Sequence, residues 1–174
     1  MAEDDPFDPR GLLAALDRNY VAYILIGGLA RVIRGTDELT AGVDICPAAK
    51  PENLGRLGRA LEELEAKRTD RKRLVLDEVT IAKEPVIRLR TDMGELRLVA
   101  EPAGTRRGYD DLRRGATREH IGEGLRPNVA SVADLARMSA ALGRDHDLVR
   151  SRELRRILEV EVGMQRTLGR GIER

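Results

Sequence analysis

Apolar and polar positions divide this chain into elements by their spacing. In "PRGLLAALDRNY", residues 9–20, Leu12, Leu13, Leu16 and Tyr20 share one helical face. Asp8 before Pro9 reads as the start of that helix, an acid at the N-cap followed by a residue whose missing N–H has no partner in the first turn anyway. "AYILI", residues 22–26, is a continuous apolar run of strand length, stopped by Gly27 and Gly28. "LARVIR" then reads as a helix that Gly35 terminates, and "VDIC", residues 43–46, as a second short strand ended by Pro47. Pro51 opens a clearer helix, with Leu54, Leu57, Leu61 and Leu64 at helical spacing, and "KRTDRKR", residues 67–73, is a charged connector.

The second half changes period. "PVIRLRT" (85–91) and "GELRLVAE" (94–101) alternate apolar and charged residues around Asp92-Met93-Gly94, the best hairpin signal in the chain. "GYDDLRRGA" reads as a short helix and "REHIGEGLRPNVAS" as a second hairpin turning at Gly122 to Gly124. Ser131 caps a helix that runs to about Leu142 and ends at Gly143. A last helix starts near Asp145 and carries Leu154, Ile157, Leu158 and Glu161 on one face. The order predicts an α/β (α+β) domain built on one mixed sheet with a C-terminal helical segment. The expected limits are a loose lead over 1–7, the domain over 8–162 and a frayed tail over 163–174.

Composition narrows the function classes. The chain has 174 residues, and 31 basic side chains against 30 acidic leave a formal charge of +1, so no global field selects nucleic acid or an anionic membrane. Three Tyr, one Phe and no Trp argue against base-stacking platforms. Cys46 is the single cysteine, which excludes an intrachain disulfide, and no Cys-His-acid arrangement gives it a nucleophile's role. His120 and His146 lack metal-spaced partners and read as surface or capping residues. The acidic start lacks a signal-peptide core and no apolar run reaches membrane-span length. The expectation is a cytoplasmic protein with no membrane partner.

The stretch with chemistry in it is "IGGLARVIRGTDELTAGVDI", residues 26–45. Glycines between a strand and a helix let backbone approach a ligand, and the free N–H groups of the helix start favour anions. The next strand carries Asp44; acids at i and i+2 face the same side and can grip a pair of metal ions, with a third acid from a neighbouring strand completing the set. Only Asp44 is present here.

"YILIGGLARVIRGTDELTAGVDI" resembles the signature of the nucleotidyltransferase superfamily, in the minimal branch that includes AbiEii-type toxins. "DMGELRLVAEPAGTRRGYDDL" is similar to that branch's third-acid strand and following helix, and "VASVADLARMSAALGRDHDL" to its last Leu-rich helix and Arg-x-x-Asp segment, so residues 8 to 160 match in order. The resemblance implies that Gly27 and Gly28 cradle phosphate, that Asp44 is the second acid, and that Arg144 and Asp147 line the cleft. It also exposes four departures. The first acid falls on Gly42, the third on Arg97, a basic position on Glu38 and a lysine position on Ser139. Arg97 either places a cation where metal should sit or pairs with Asp44 across adjacent strands; a register shift of two would bring in Glu95 as substitute acid.

Three readings stay open on these residues. One is a degraded two-metal site, no metal in the resting protein, and binding of a nucleotide, nucleic acid or protein partner without turnover. Another is an active enzyme using Mg2+ or Mn2+ to move a nucleoside monophosphate from an NTP to RNA or protein, with Asp44 plus Glu95 or Glu101. The last is a toxin–antitoxin-type interaction protein or homo-oligomer with no ligand in the cleft.

Overall fold

The computed structural model describes residues 6–171. Its centre is a mixed seven-stranded sheet in the order β3-β4-β5-β2-β1-β7-β6. The strands are β1 Tyr23–Ile26, β2 Gly42–Pro47, β3 Lys67–Arg68, β4 Val86–Thr91, β5 Gly94–Val99, β6 Thr117–Arg118 and β7 Asn128–Val129. The helices are α1 Pro9–Arg18, α2 Gly27–Arg34, α3 Pro51–Glu63, α4 Glu78–Lys83, α5 Tyr109–Leu112, α6 Val132–Leu142 and α7 Asp145–Gly171. This is the mixed α/β architecture that the spacing implies.

Local chemistry sets the ends of these elements. The Asp8 carboxylate accepts from the Gly11 N–H at 2.9 Å, and the Ser131 hydroxyl accepts from the Asp134 N–H at 3.1 Å. The Thr91–Gly94 turn sets the β4–β5 register, in which Arg88 lies opposite Arg97 and Arg90 opposite Glu95. β2 runs antiparallel to β1 and parallel to β5, so the sequence-distant Asp44 and Arg97 become direct neighbours.

One sheet face is aliphatic. Val43, Ile45, Ile87, Leu89, Leu96 and Leu98 are all buried in one cluster with Leu12, Leu13 and Leu16 of α1, which packs on β2, β5 and α3. Asn53 of α3 donates to the carbonyls of Ala22 and Ala48 and accepts from the Ala22 N–H, which ties that helix to the ends of β1 and β2. The alternate residues, Gly42, Asp44, Glu95, Arg97, Arg88 and Arg90, belong to the other face.

Three elements depart from the sequence reading. The charged connector contributes β3 at the sheet's edge, with Arg68 buried between Asp70 and Glu84. α4 has no counterpart in the expected order, because Ile81 is its only buried residue and the segment shows no apolar period; Asp77 starts it by accepting from the Thr80 N–H. α7 continues through Gly171 instead of ending near residue 162, although the described side chains from Glu159 onward are all exposed. Of the expected loose lead, residues 1–5 lie outside the described residues, as do 172–174 of the expected tail. Among the described residues no helix is long and apolar enough to cross a membrane.

Candidate ligand cleft

Gly27 closes β1 and opens α2 with φ +70°, a left-handed conformation that side-chain-bearing residues rarely adopt. A Cβ at this position would lie 2.1 Å from Asp44 Oδ2, so the carboxylate occupies the space the glycine leaves free. Gly28 is different. A Cβ there would meet Thr40 and Glu38, and Gly28 is not among the residues that line the cleft.

Asp44 is nearly buried on β2, and both its carboxylate oxygens are engaged. Arg97 donates from Nε to Oδ1 and from Nη2 to Oδ2, each at 2.6 Å, in the bidentate geometry that guanidinium and carboxylate favour. Hydrogen bonding to Asp44 raises the Arg97 pKa further, against the opposing effect of burial, with the charges of Asp44 and Glu95 adding to it. Gly42 sits opposite Glu95 in the parallel pair and supplies no side chain.

Glu95 does not stand in as the missing acid. Register places Arg97, not Glu95, beside Asp44, and Glu95 opens onto a separate hollow with Ala41, Thr69, Arg88 and Arg90. Glu101 lies in another hollow near Lys50 and Tyr109. The donors of this cleft do not fit a two-metal centre. Divalent metals need several anionic oxygens, and among the described residues no group of three His, Cys, Asp or Glu side chains comes together to hold an ion.

The cleft has a volume of about 450 Å3. Ile26, Gly27, Asp44 and Arg97 line it together with an aliphatic set, Val86 and Val99 from the sheet and Leu135, Met138 and Leu142 from α6. Arg31, Arg88, Ser139, Arg144, His146 and Asp147 are among the other lining residues. Ser139 is buried and uncharged on α6. Arg144 Nε donates to Asp147 Oδ2 at 2.6 Å, and His146 Nε2 stands 3.4 Å from the other oxygen. Burial works against ionisation of Asp147, yet the hydrogen bond and charge of Arg144, with His146 nearby, hold its carboxyl below the usual carboxylate range.

Glu38 has a structural partner set. Arg31 donates to both of its oxygens, at 2.8 and 3.0 Å, Thr36 donates from Oγ1 at 2.8 Å, and Arg150 of α7 approaches to 3.5 Å. Burial raises its pKa, but the bonds from Arg31 and Thr36 and the charges of Arg31 and Arg150 outweigh this and hold the carboxyl below its ordinary value. Glu38 thereby fastens α2 to α7 behind the cleft and orients Arg31 in its wall.

Sequence reasoning missed Arg31, Arg88 and the aliphatic wall, and it placed His146 on the surface, whereas His146 is both exposed and part of the lining. Arg88 was within reach: a turn at Asp92-Met93 pairs position 88 with 97. The remaining candidates lie elsewhere. Cys46 is buried, and burial with the nearby Glu101 pushes its thiol up to about 12, which leaves it unreactive. Asp111 accepts from the Arg106 and Arg107 N–H groups and Asp110 pairs with Arg113, so these acids serve local structure.

No protein-family model and no curated protein matches the chain. Solved structures do. A crystal structure from Thermotoga maritima, described as a "putative nucleotidyltransferase", shares 18% identity at a TM-score of 0.54, over 86% of this chain and 89% of that one. The solution structure of the antibiotic-resistance factor ANT(2'')-Ia shares 15% identity at a TM-score of 0.55, over 94% of this chain and 92% of that one. At these identities the likeness is one of fold, and it spans nearly the whole chain: the protein has a nucleotidyltransferase-like fold.

Proposed function

We propose that this chain is a non-catalytic member of the AbiEii-like branch of nucleotidyltransferase-fold proteins, one that binds a nucleotide in its cleft without transferring it. The observation that carries this reading is the Arg97–Asp44 pair. The one acid at the metal-binding strand has both oxygens bound by a guanidinium, and the neighbouring position is Gly42. Nothing in the described donor set then positions a divalent ion for in-line transfer. The cleft still suits a nucleotide's chemistry: an aliphatic wall for an apolar body and cationic side chains for phosphate.

The test has two arms. Labelled NTPs with Mg2+ or Mn2+ and a panel of RNA and protein acceptors should give no transfer product. The same NTPs should raise the melting temperature saturably. Transfer that disappears in Asp44→Ala would overturn the non-catalytic part, and a flat melting response to every NTP, with and without metal, would overturn the binding part.

A further inference from the structure

We infer that the Arg88–Arg97 pair is a metal-independent oligophosphate site, in which a fixed guanidinium takes the place that a divalent ion would hold. This inference rests on the nucleotide-binding reading and names the part of the ligand the cleft recognises. Arg88 and Arg97 are direct cross-strand neighbours on one face of the β4–β5 hairpin, and both line the cleft. Like charges directly opposite each other destabilise a sheet, so the pairing is a cost that a bound anion relieves. Only one of the two cations is compensated. Arg97 is anchored by Asp44, whereas Arg88 makes no ion pair among the described residues.

The anchor also leaves Arg97 able to bind. A guanidinium has five N–H donors, and Asp44 accepts from only Nε and one Nη2 hydrogen. The remaining edge carries Nη1, which makes no hydrogen bond among the described residues, and the Arg97 side chain is 40% exposed against 11% for Asp44. Asp44 therefore serves as a positioning residue: it fixes the Arg97 plane and leaves the other edge for phosphate oxygens, a match of fork to oxyanion that needs no metal. Arg88, one strand over, supplies the second cation, and the Arg144 guanidinium lines the same cleft.

The experiment is calorimetric titration of ATP and of inorganic tripolyphosphate into the full chain, in EDTA and again in excess Mg2+. Both ligands should bind in EDTA, and Mg2+ should weaken them, because it neutralises the charge that the arginines read. Arg88→Ala, which removes an exposed side chain with no partner, should stay folded and weaken tripolyphosphate by about tenfold or more, the scale of one lost charge-assisted hydrogen bond. Arg88→Lys should recover part of the loss. ATP binding that requires Mg2+ would overturn the inference and leave the nucleotide reading standing. ATP binding in EDTA that Arg88→Ala and Arg97→Ala both leave unchanged would do the same. No binding of either ligand under any condition would remove both.

Discussion

The two faces of this sheet solve burial in opposite ways. Under α1 the side chains are Val, Ile and Leu, fully buried and tolerant of any partner of similar volume. On the cleft side the same strands present Asp44, Arg97 and Arg88, where one hydrogen-bond geometry satisfies a nearly buried carboxylate and any alternative leaves it unpaired. The aliphatic face carries stability. The polar face carries specificity.

That contrast can be broken at its tightest point. Gly27→Ala should cost about 4 kcal/mol, from a strained positive φ plus a Cβ driven into Asp44, and thermal melting should show it. On the aliphatic side, Leu57→Ala, at a fully buried position of α3, should cost about 3 kcal/mol by cavity formation and leave ligand binding unchanged. Splitting the ion pair should be asymmetric. Arg97→Ala strands a nearly buried carboxylate and should cost about 2 kcal/mol or more, whereas Asp44→Ala leaves a guanidinium that can turn to water and should cost less. Equal losses in chemical denaturation would mean that Asp44 is better solvated than its burial implies.

Restoration tests the comparison from the other direction. Gly42→Asp with Arg97→Asp should produce saturable Mn2+ binding that the wild type lacks, although the new Cβ at position 42 meets the Glu95 carbonyl at 3.1 Å and needs a small shift there. A folded double variant with no added Mn2+ heat would show that these strands do not correspond to the metal-binding pair.

A smaller effect concerns the Glu38 network. Because its carboxyl is held below its ordinary value in the fold, Glu38 contributes stability that is present above an unfolded pKa of about 4.3 and is lost as pH falls through the lower folded value. Glu38→Gln should therefore be less stable than wild type at neutral pH, and the gap in melting temperature should close as pH drops from about 5 toward 3. The smallest effect is expected at Gly55 of α3, where an added Cβ meets nothing within 4 Å: Gly55→Ala should be neutral or stabilise by up to about 1 kcal/mol.

Most of the fold was legible because its signals are local. Asp8-Pro9, Ser131 and the Asp92-Met93-Gly94 turn each announce an element end through their own local chemistry. α4 was not legible, since a helix with one buried residue leaves no period, and the length of α7 was not, since its exposed end shows none either. In the site, Gly42, Arg97, Glu38 and Ser139 could be singled out from the sequence, and an Arg97–Asp44 pair was one of the alternatives that it left open. Glu95 and Arg97 alternate onto the same face, and only the parallel pairing of β2 with β5 decides which of them meets Asp44.

By itself, then, the sequence determined most of the elements, the aliphatic face and the scarcity of acids on the cleft strands, because helix periods, strand alternation and residue identity are properties of short segments. The tertiary structure decided that Arg97 closes on Asp44, that Glu38 bolts α2 to α7 and that Arg88 stands beside Arg97. These depend on the register between strands and on helix packing across dozens of residues, where a shift of two positions preserves every local pattern and exchanges a cation for an acid.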